Sequence, residues 1–145
     1  MKHEVEELRR LLVGRTLRIV CMKDEPHYTG RTGVVKSVDD AGQIHGSWGG
    51  CALIPGVDSY ELHTPYDKVK YIMDKYNIFG ECVEETDSMV GIEIHWGDWK
   101  HDHLCLSFSV TEAYPGVQYS CEVTEQDGSD AYSAIHRFKF KEGCQ

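Results

Sequence analysis

Tight turns are what most limit how this chain can fold. Gly30-Arg31-Thr32-Gly33, Asp39-Asp40-Ala41-Gly42, Gly49-Gly50 and Pro55-Gly56 follow one another closely, and the segments between them are too short for helices of ordinary length. Val34 to Val38, Gln43 to Trp48, Cys51 to Ile54 and Ser59 to Leu62 therefore read as strands. So does the stretch from Thr16, where Leu17, Ile19 and Cys21 alternate with Arg18, Val20 and Met22 until Asp24-Glu25-Pro26 ends the run. Gly49-Gly50 supplies the positive-φ positions of a two-residue hairpin. Short strands joined this way predict a small, strongly bent barrel, because an open sheet leaves edges to protect. Trp48 shares a strand face with Ile44 and is expected in its core. Before the strands, Val5, Leu8, Leu11 and Leu12 recur at helical spacing and Gly14 follows, which predicts a short amphipathic N-terminal helix.

The turn-rich region also carries a resemblance. Gly30-Arg31-Thr32-Gly33-Val34-Val35, Val38-Asp39-Asp40-Ala41-Gly42-Gln43-Ile44-His45, Trp48 and Ala52-Leu53-Ile54-Pro55-Gly56-Val57-Asp58 resemble uncharacterised small-barrel domains encoded mostly by phages, plasmids and integrated elements of Gram-positive bacteria. The glycine-valine entry is similar to KOW-type, SH3-like barrels of transcription and translation factors. The resemblance spans residues 14 to 63 and implies a fold without implying an activity, since small barrels host many functions.

Thr64-Pro65-Tyr66-Asp67 marks a second beginning. Thr64 is placed as an N-cap with proline at the first helical position, Tyr66, Val69, Ile72, Met73 and Tyr76 line one face, and Asn77 can close the helix. Beyond it, Val90 to Trp96, Leu104 to Val110, Val117 to Glu125 and Ala131 to Lys141 read as strands, with Cys82 to Glu85 a candidate fifth. The expected fold is mainly β with an α+β second module. Residues 1–64 would form the N-terminal helix and SH3-like small barrel. Residues 65–145 would form an acidic module with one helix packed on an antiparallel meander.

Charge separates the two modules. Through Thr64 the chain has 8 basic and 9 acidic residues, and the remainder has 7 and 15. From Tyr76 to His136 a single cation, Lys100, stands against twelve acids, net −11 where the whole chain is −9. Such a field attracts cations or the basic face of a partner and repels phosphate, so the second module should not bind nucleic acid directly.

The densest chemistry lies in His95-Trp96-Gly97-Asp98-Trp99-Lys100-His101-Asp102-His103-Leu104-Cys105. On a strand, His101 and His103 would share a face, and with His95 and Asp98 or Asp102 they could ligate zinc; the plainer reading is a hairpin loop facing water. Trp96 and Trp99 cannot both keep strand register, so they are either exposed anchors for a partner or a cap on the open end of a core. Cys121, His136 and Asp130 are a further combination that neighbouring strands could assemble for nucleophilic catalysis. Six cysteines never closer than 16 positions form no CxxC and predict reduced, mostly buried thiols.

These readings favour a non-enzymatic binding protein that presents Glu81, Glu84, Glu85, Asp87, Glu93 and Asp98, with Trp96 and Trp99 as anchors, to a basic protein surface. Joined to the mobile-element resemblance, they point to an inhibitor or regulator of a host nucleic-acid-binding machine such as a CRISPR nuclease or restriction enzyme, with no cofactor. The alternatives are a metal-dependent enzyme centred on His95, His101 and His103, and a small-barrel adaptor that binds protein or RNA through Arg15, Arg18, Arg31 and Lys36. Residues Met1 to Arg10 carry no apolar leader-like run, and no later apolar run approaches the roughly 20 residues of a membrane helix. The expected location is cytoplasmic, with no membrane partner.

Overall fold

The computed structural model describes residues 2–141. It is mostly β, with two antiparallel four-stranded sheets and three α-helices, and its contacts divide the chain into two compact units between His63 and Thr64. Among the described residues no helix is long and apolar enough to cross a membrane.

In the first unit, helix α1 (Lys2–Leu12) buries Leu11 and Leu12, and Gly14 takes up a left-handed φ of 90° just beyond it. Strands β1 (Thr16–Cys21), β2 (Thr32–Val38), β3 (Ile44–Gly46) and β4 (Ser59–Leu62) form a sheet in the order β3-β2-β1-β4. This sheet is open; the expected closed barrel is not formed. The Cys51 to Ile54 strand shrinks to one bridge, in which Ile44 and Leu53 exchange backbone hydrogen bonds of 2.9 and 2.8 Å. A buried carboxylate braces the same segment. Asp58 accepts from the Lys23 N–H at 2.9 Å and the Ile54 N–H at 2.8 Å, tying the Pro55 turn to the end of β1. Trp48 is buried with Ile44, and its indole donates to the Cys51 carbonyl at 2.9 Å.

The second unit opens with helix α2 (Pro65–Lys75), where the Thr64 hydroxyl accepts from the Asp67 N–H at 3.0 Å and Asn77 turns out at φ 55°. Strands β5 (Glu81–Glu85) and β6 (Met89–Asp98) follow as a hairpin, then helix α3 (Cys105–Ala113), then β7 (Gln118–Gln126) and β8 (Ala131–Lys139). The sheet order is β5-β6-β8-β7. The expected meander is therefore incorrect: α3 carries the chain across so that β8 inserts between β6 and β7. Two helices, rather than one, cover a single face of the sheet, with Val69, Ile72 and Met73 of α2 and Leu106 and Val110 of α3 packed on Val90, Ile92, Ile94 and Phe138.

The Leu104 to Val110 strand reading fails for a definable reason. Leu104, Leu106, Phe108 and Val110 alternate in sequence as a strand would, but only Leu106 and Val110, four apart, are fully buried, while Leu104 and Phe108 are 45% and 62% exposed. Burial follows the helical period, so tertiary packing overrides a β-like pattern. The thiols also depart from expectation. Cys21, Cys82 and Cys121 are exposed and Cys51 and Cys105 half-buried, all free; Cys144 lies outside the described residues. Leu106→Ala should cost about 2–5 kcal/mol in chemical denaturation, as for a fully buried leucine, whereas Phe108→Ala should stay within about 0.5 kcal/mol.

Candidate functional site

Opposite residues of paired strands project to the same side of a sheet. On the side of the second sheet away from α2 and α3, one row runs Glu81 (β5), Glu93 (β6), Ile135 (β8) and Glu122 (β7), and the next runs Glu84, Gly91, Arg137 and Ser120. Arg137 is the organising cation of this face. Its Nη2 and Nε donate to Glu84 at 2.8 and 3.1 Å, and its Nη1 donates to Glu122 Oε1 at 2.8 Å. Gly91 makes room for the pair, since a Cβ there would lie 3.2 Å from Glu84 Cβ. The Arg137 hydrogen bonds hold the Glu84 carboxyl below its ordinary range. Glu81 and Glu93 have no such cation. Their nearest basic group is His95, whose Nε2 lies 3.6 Å from Glu81 and 3.7 Å from Glu93. In these two rows four carboxylates stand against one guanidinium, and the next row adds the exposed Lys139, opposite Met89 and Gln118.

Glu85 pairs opposite Val90, on the other side of the sheet, and Asp87 sits exposed in the β5–β6 turn. Asp98 is committed to the backbone. Its Oδ1 accepts from the N–H groups of Lys100 and His101 at 2.8 and 2.9 Å, while the Asp98 N–H donates to Asp102 Oδ2 at 2.7 Å. Together the two acids cap the N-terminal end of a π-helical turn over Trp99–Leu104 that leads into α3. Gly97 is required here, because a Cβ would stand 3.0 Å from Asp102 Cβ. Backbone hydrogen bonds, that of His101 foremost, lower the Asp98 pKa and keep it ionised. Trp96 and Trp99 are 45% and 50% exposed, so neither caps the core. Trp96 adopts φ 50° at a bulge in β6, a strained conformation held by its N–H bond to the buried Ser133 hydroxyl at 2.8 Å. Trp99 instead lines a cavity of about 380 Å³ with Asp98, Lys100, Gln126, Ser129, Asp130 and Tyr132.

Beneath Tyr132 lies a polar chain whose two imidazoles are buried and whose Tyr119 end reaches the surface. Tyr119 Oη is 2.7 Å from His136 Nδ1, His136 Nε2 is 2.8 Å from His103 Nδ1, and His103 Nε2 is 2.8 Å from the Tyr132 carbonyl oxygen. A carbonyl only accepts, so His103 Nε2 donates; its Nδ1 then accepts from His136 Nε2, and His136 Nδ1 accepts from the Tyr119 hydroxyl. Each bond fixes the next when both rings are neutral. The His103 ring also stacks on the Tyr132 ring, centroids 4.0 Å apart and 7° from parallel. Burial, then the neighbouring His103, depresses His136 to a pKa of about 4, and burial raises that of Tyr119.

The proposed histidine ligands are thus drawn apart. His95 faces Glu81 and Glu93, His101 is exposed near Asp102 at 4.0 Å, and His103 is buried against His136. A π-helical turn, unlike a strand, does not align residues two apart. Among the described residues no group of three or more His, Cys, Asp or Glu side chains is placed to hold a metal ion. Cys121 does lie opposite His136 on β7 and β8, but both imidazole nitrogens of His136 are already engaged, leaving no base for the thiol. In the first unit, Arg18 is bound to Glu61 at 2.8 Å, Arg31 stacks on Tyr28 at 4.2 Å and donates to the Trp48 carbonyl, and Arg15 donates to the Leu11 carbonyl.

Residues 1–63 match a family described as a domain of unknown function, DUF4314. The match covers the first unit and stops where α2 begins. No curated protein and no solved structure matches the chain.

Glu122 and Arg137, absent from the sequence-based site, were concealed because Arg137 meets Glu84 and Glu122 only through strand register, across 53 and 15 residues. Asp98 and Asp102, four apart after a glycine, were a legible capping signal. A histidine whose folded pKa is depressed loses its stabilising contribution as pH falls from its unfolded value near 6.5 towards 4. Wild-type stability should therefore drop by about 3 kcal/mol more than that of His136→Gln between pH 7 and pH 4 in parallel urea denaturations.

Proposed function

We propose that the protein is a non-enzymatic binding protein whose second unit docks on a basic surface through the outer face of its sheet. The observation that carries this reading is the placement of Glu81, Glu84, Glu93 and Glu122 on the side of the sheet that neither α2 nor α3 covers. Glu81 keeps 69% of its side chain exposed and Glu122 57%, so their carboxylates are available to Lys and Arg of a partner. Neighbouring strands stand about 4.8 Å apart and same-face residues about 7 Å apart along a strand. Carboxylates on that grid approximate the spacing of backbone phosphates, and Arg or Lys evolved to hold phosphate would accept them by charge-assisted hydrogen bonds.

The partner class follows from that chemistry together with the resemblance of residues 14–63 to SH3-like small-barrel domains of phages and mobile elements. The reading is an inhibitor or regulator of a host nucleic-acid-binding enzyme of the CRISPR nuclease or restriction type, acting in the cytoplasm. Trp96 and Asp87 flank the array as exposed contacts, and Arg137 sets the positions of Glu84 and Glu122.

DNA cleavage by purified nucleases of these two types provides the test. Added protein should suppress cleavage, and suppression should weaken steeply as salt rises, because exposed charge pairs are screened beyond a Debye length of about 10 Å at 0.1 M. The variant combining Glu81→Lys, Asp87→Lys, Glu93→Lys and Glu122→Lys, shown folded by circular dichroism, should be at least about tenfold weaker. Absence of any inhibition, or inhibition unchanged by that reversal, overturns the reading.

A further inference from the structure

The cavity beside Trp99 has a composition of its own. Trp99 and Tyr132 supply aromatic surface, Asp98 and Asp130 supply carboxylates, and Lys100 supplies one opposing charge around a space of about 380 Å³. Both hydrogen bonds accepted by the Asp98 side chain fall on Oδ1, which leaves Oδ2 for a ligand. Asp130 sits in the exposed β7–β8 turn, beside the Asp127 carboxylate that caps the Ser129 N–H at 3.0 Å. The Tyr132 ring is not a mobile surface aromatic. One of its faces is stacked on His103, whose orientation is fixed by the hydrogen bond to the Tyr132 carbonyl and by the chain through His136 to Tyr119. The ring is therefore held in place before any ligand arrives, which lowers the ordering cost of binding.

We propose that this cavity is an arginine-binding pocket, in which a guanidinium lies against Trp99 and Tyr132 and is bound by the carboxylates of Asp98 and Asp130. A guanidinium meets both halves of the lining. Its planar, weakly hydrated cation stacks on aromatic rings, and its fork of N–H donors matches carboxylate oxygens. An ammonium satisfies the charge but has no plane to stack, and an anion would face two carboxylates with only Lys100 in its favour. The His103 stack makes the buried chain a positioning device for the pocket. The pocket stands on different residues from the carboxylate rows of the outer sheet face, so either site can fail without the other.

The probe is N-acetyl-L-arginine methylamide, titrated into the full-length, isotopically labelled protein and followed by ¹H–¹⁵N spectra. The citrulline analogue serves as its uncharged counterpart, and inorganic phosphate as the anionic one. Saturable shifts are expected at the Trp99 indole and at the Lys100 and Ser129 amides, with affinity at least about tenfold above that for the citrulline analogue. Trp99→Ala should abolish them. Asp130→Asn, in an exposed turn, and Asp98→Asn, which retains an acceptor for the turn N–H groups, should each weaken binding about three- to tenfold, while Lys100→Gln should strengthen it. His136→Gln should weaken it without touching the cavity, and the Glu81, Asp87, Glu93 and Glu122 reversal should leave it intact. Equal shifts with the citrulline analogue, phosphate shifts removed by Lys100→Gln, or no saturable shift with the arginine compound overturns the proposal.

Discussion

Two imidazoles bonded to each other inside an apolar unit constrain everything around them. His103 and His136 cannot both be charged at 2.8 Å in a buried site, and with both neutral the carbonyl of Tyr132 dictates which nitrogen carries each proton. No buried side-chain nitrogen or oxygen among the described residues lacks a partner, so the chain meets the condition under which a buried polar network specifies one arrangement. It joins three elements that are distant in sequence: the turn before α3, strand β8 and strand β7. The same chain explains why the segment from Trp99 to Leu104 can be helical. Once His103 is anchored inward, Asp98 and Asp102 close the turn around it, and α3 continues from there with Leu106 and Val110 aimed at the sheet.

From that arrangement the unit acquires two surfaces of different character. With α2 and α3 both on one face, the other face of the sheet is left to side chains that do not need covering, and the register places acids there in rows. Arg137 keeps this face from being a plain repulsive cluster, because it ties β8 to β5 and β7 through Glu84 and Glu122. At the end of β6, the capped turn and the clamped Tyr132 line an open cavity with aromatic and carboxylate walls. Both surfaces suit a cationic partner by separate physical means, one by Coulombic rows and one by stacking. In the first unit Arg15, Arg18 and Arg31 all make contacts inside that unit.

Much of this was legible in the residues. Thr64-Pro65 marked the start of α2, whereas Glu81 and Glu93 meet only through the register of β5 on β6. What stayed hidden depended on long-range pairing. The alternation from Leu104 to Val110 mimics a strand so well that only contacts with α2 and the sheet decide for a helix. The meeting of His103 with His136 spans 33 residues and depends on β8 inserting between β6 and β7, a topology that local pattern does not encode. In the first unit, the turn spacing showed where strands begin and end but not that Cys51 to Ile54 would contribute a single bridge and leave the sheet open.

The neutral, directional imidazole pair is the central claim, because the turn, the placement of Tyr132 and the cavity all rest on it. Its most direct test is the ¹⁵N spectrum of the histidine side chains in the full-length protein at pH 7. The account predicts that His103 and His136 are both neutral and both protonated at Nε2, with Nδ1 of each carrying the shift of a hydrogen-bond acceptor. An Nδ1-protonated tautomer on either ring, or an imidazolium at His136, would contradict it.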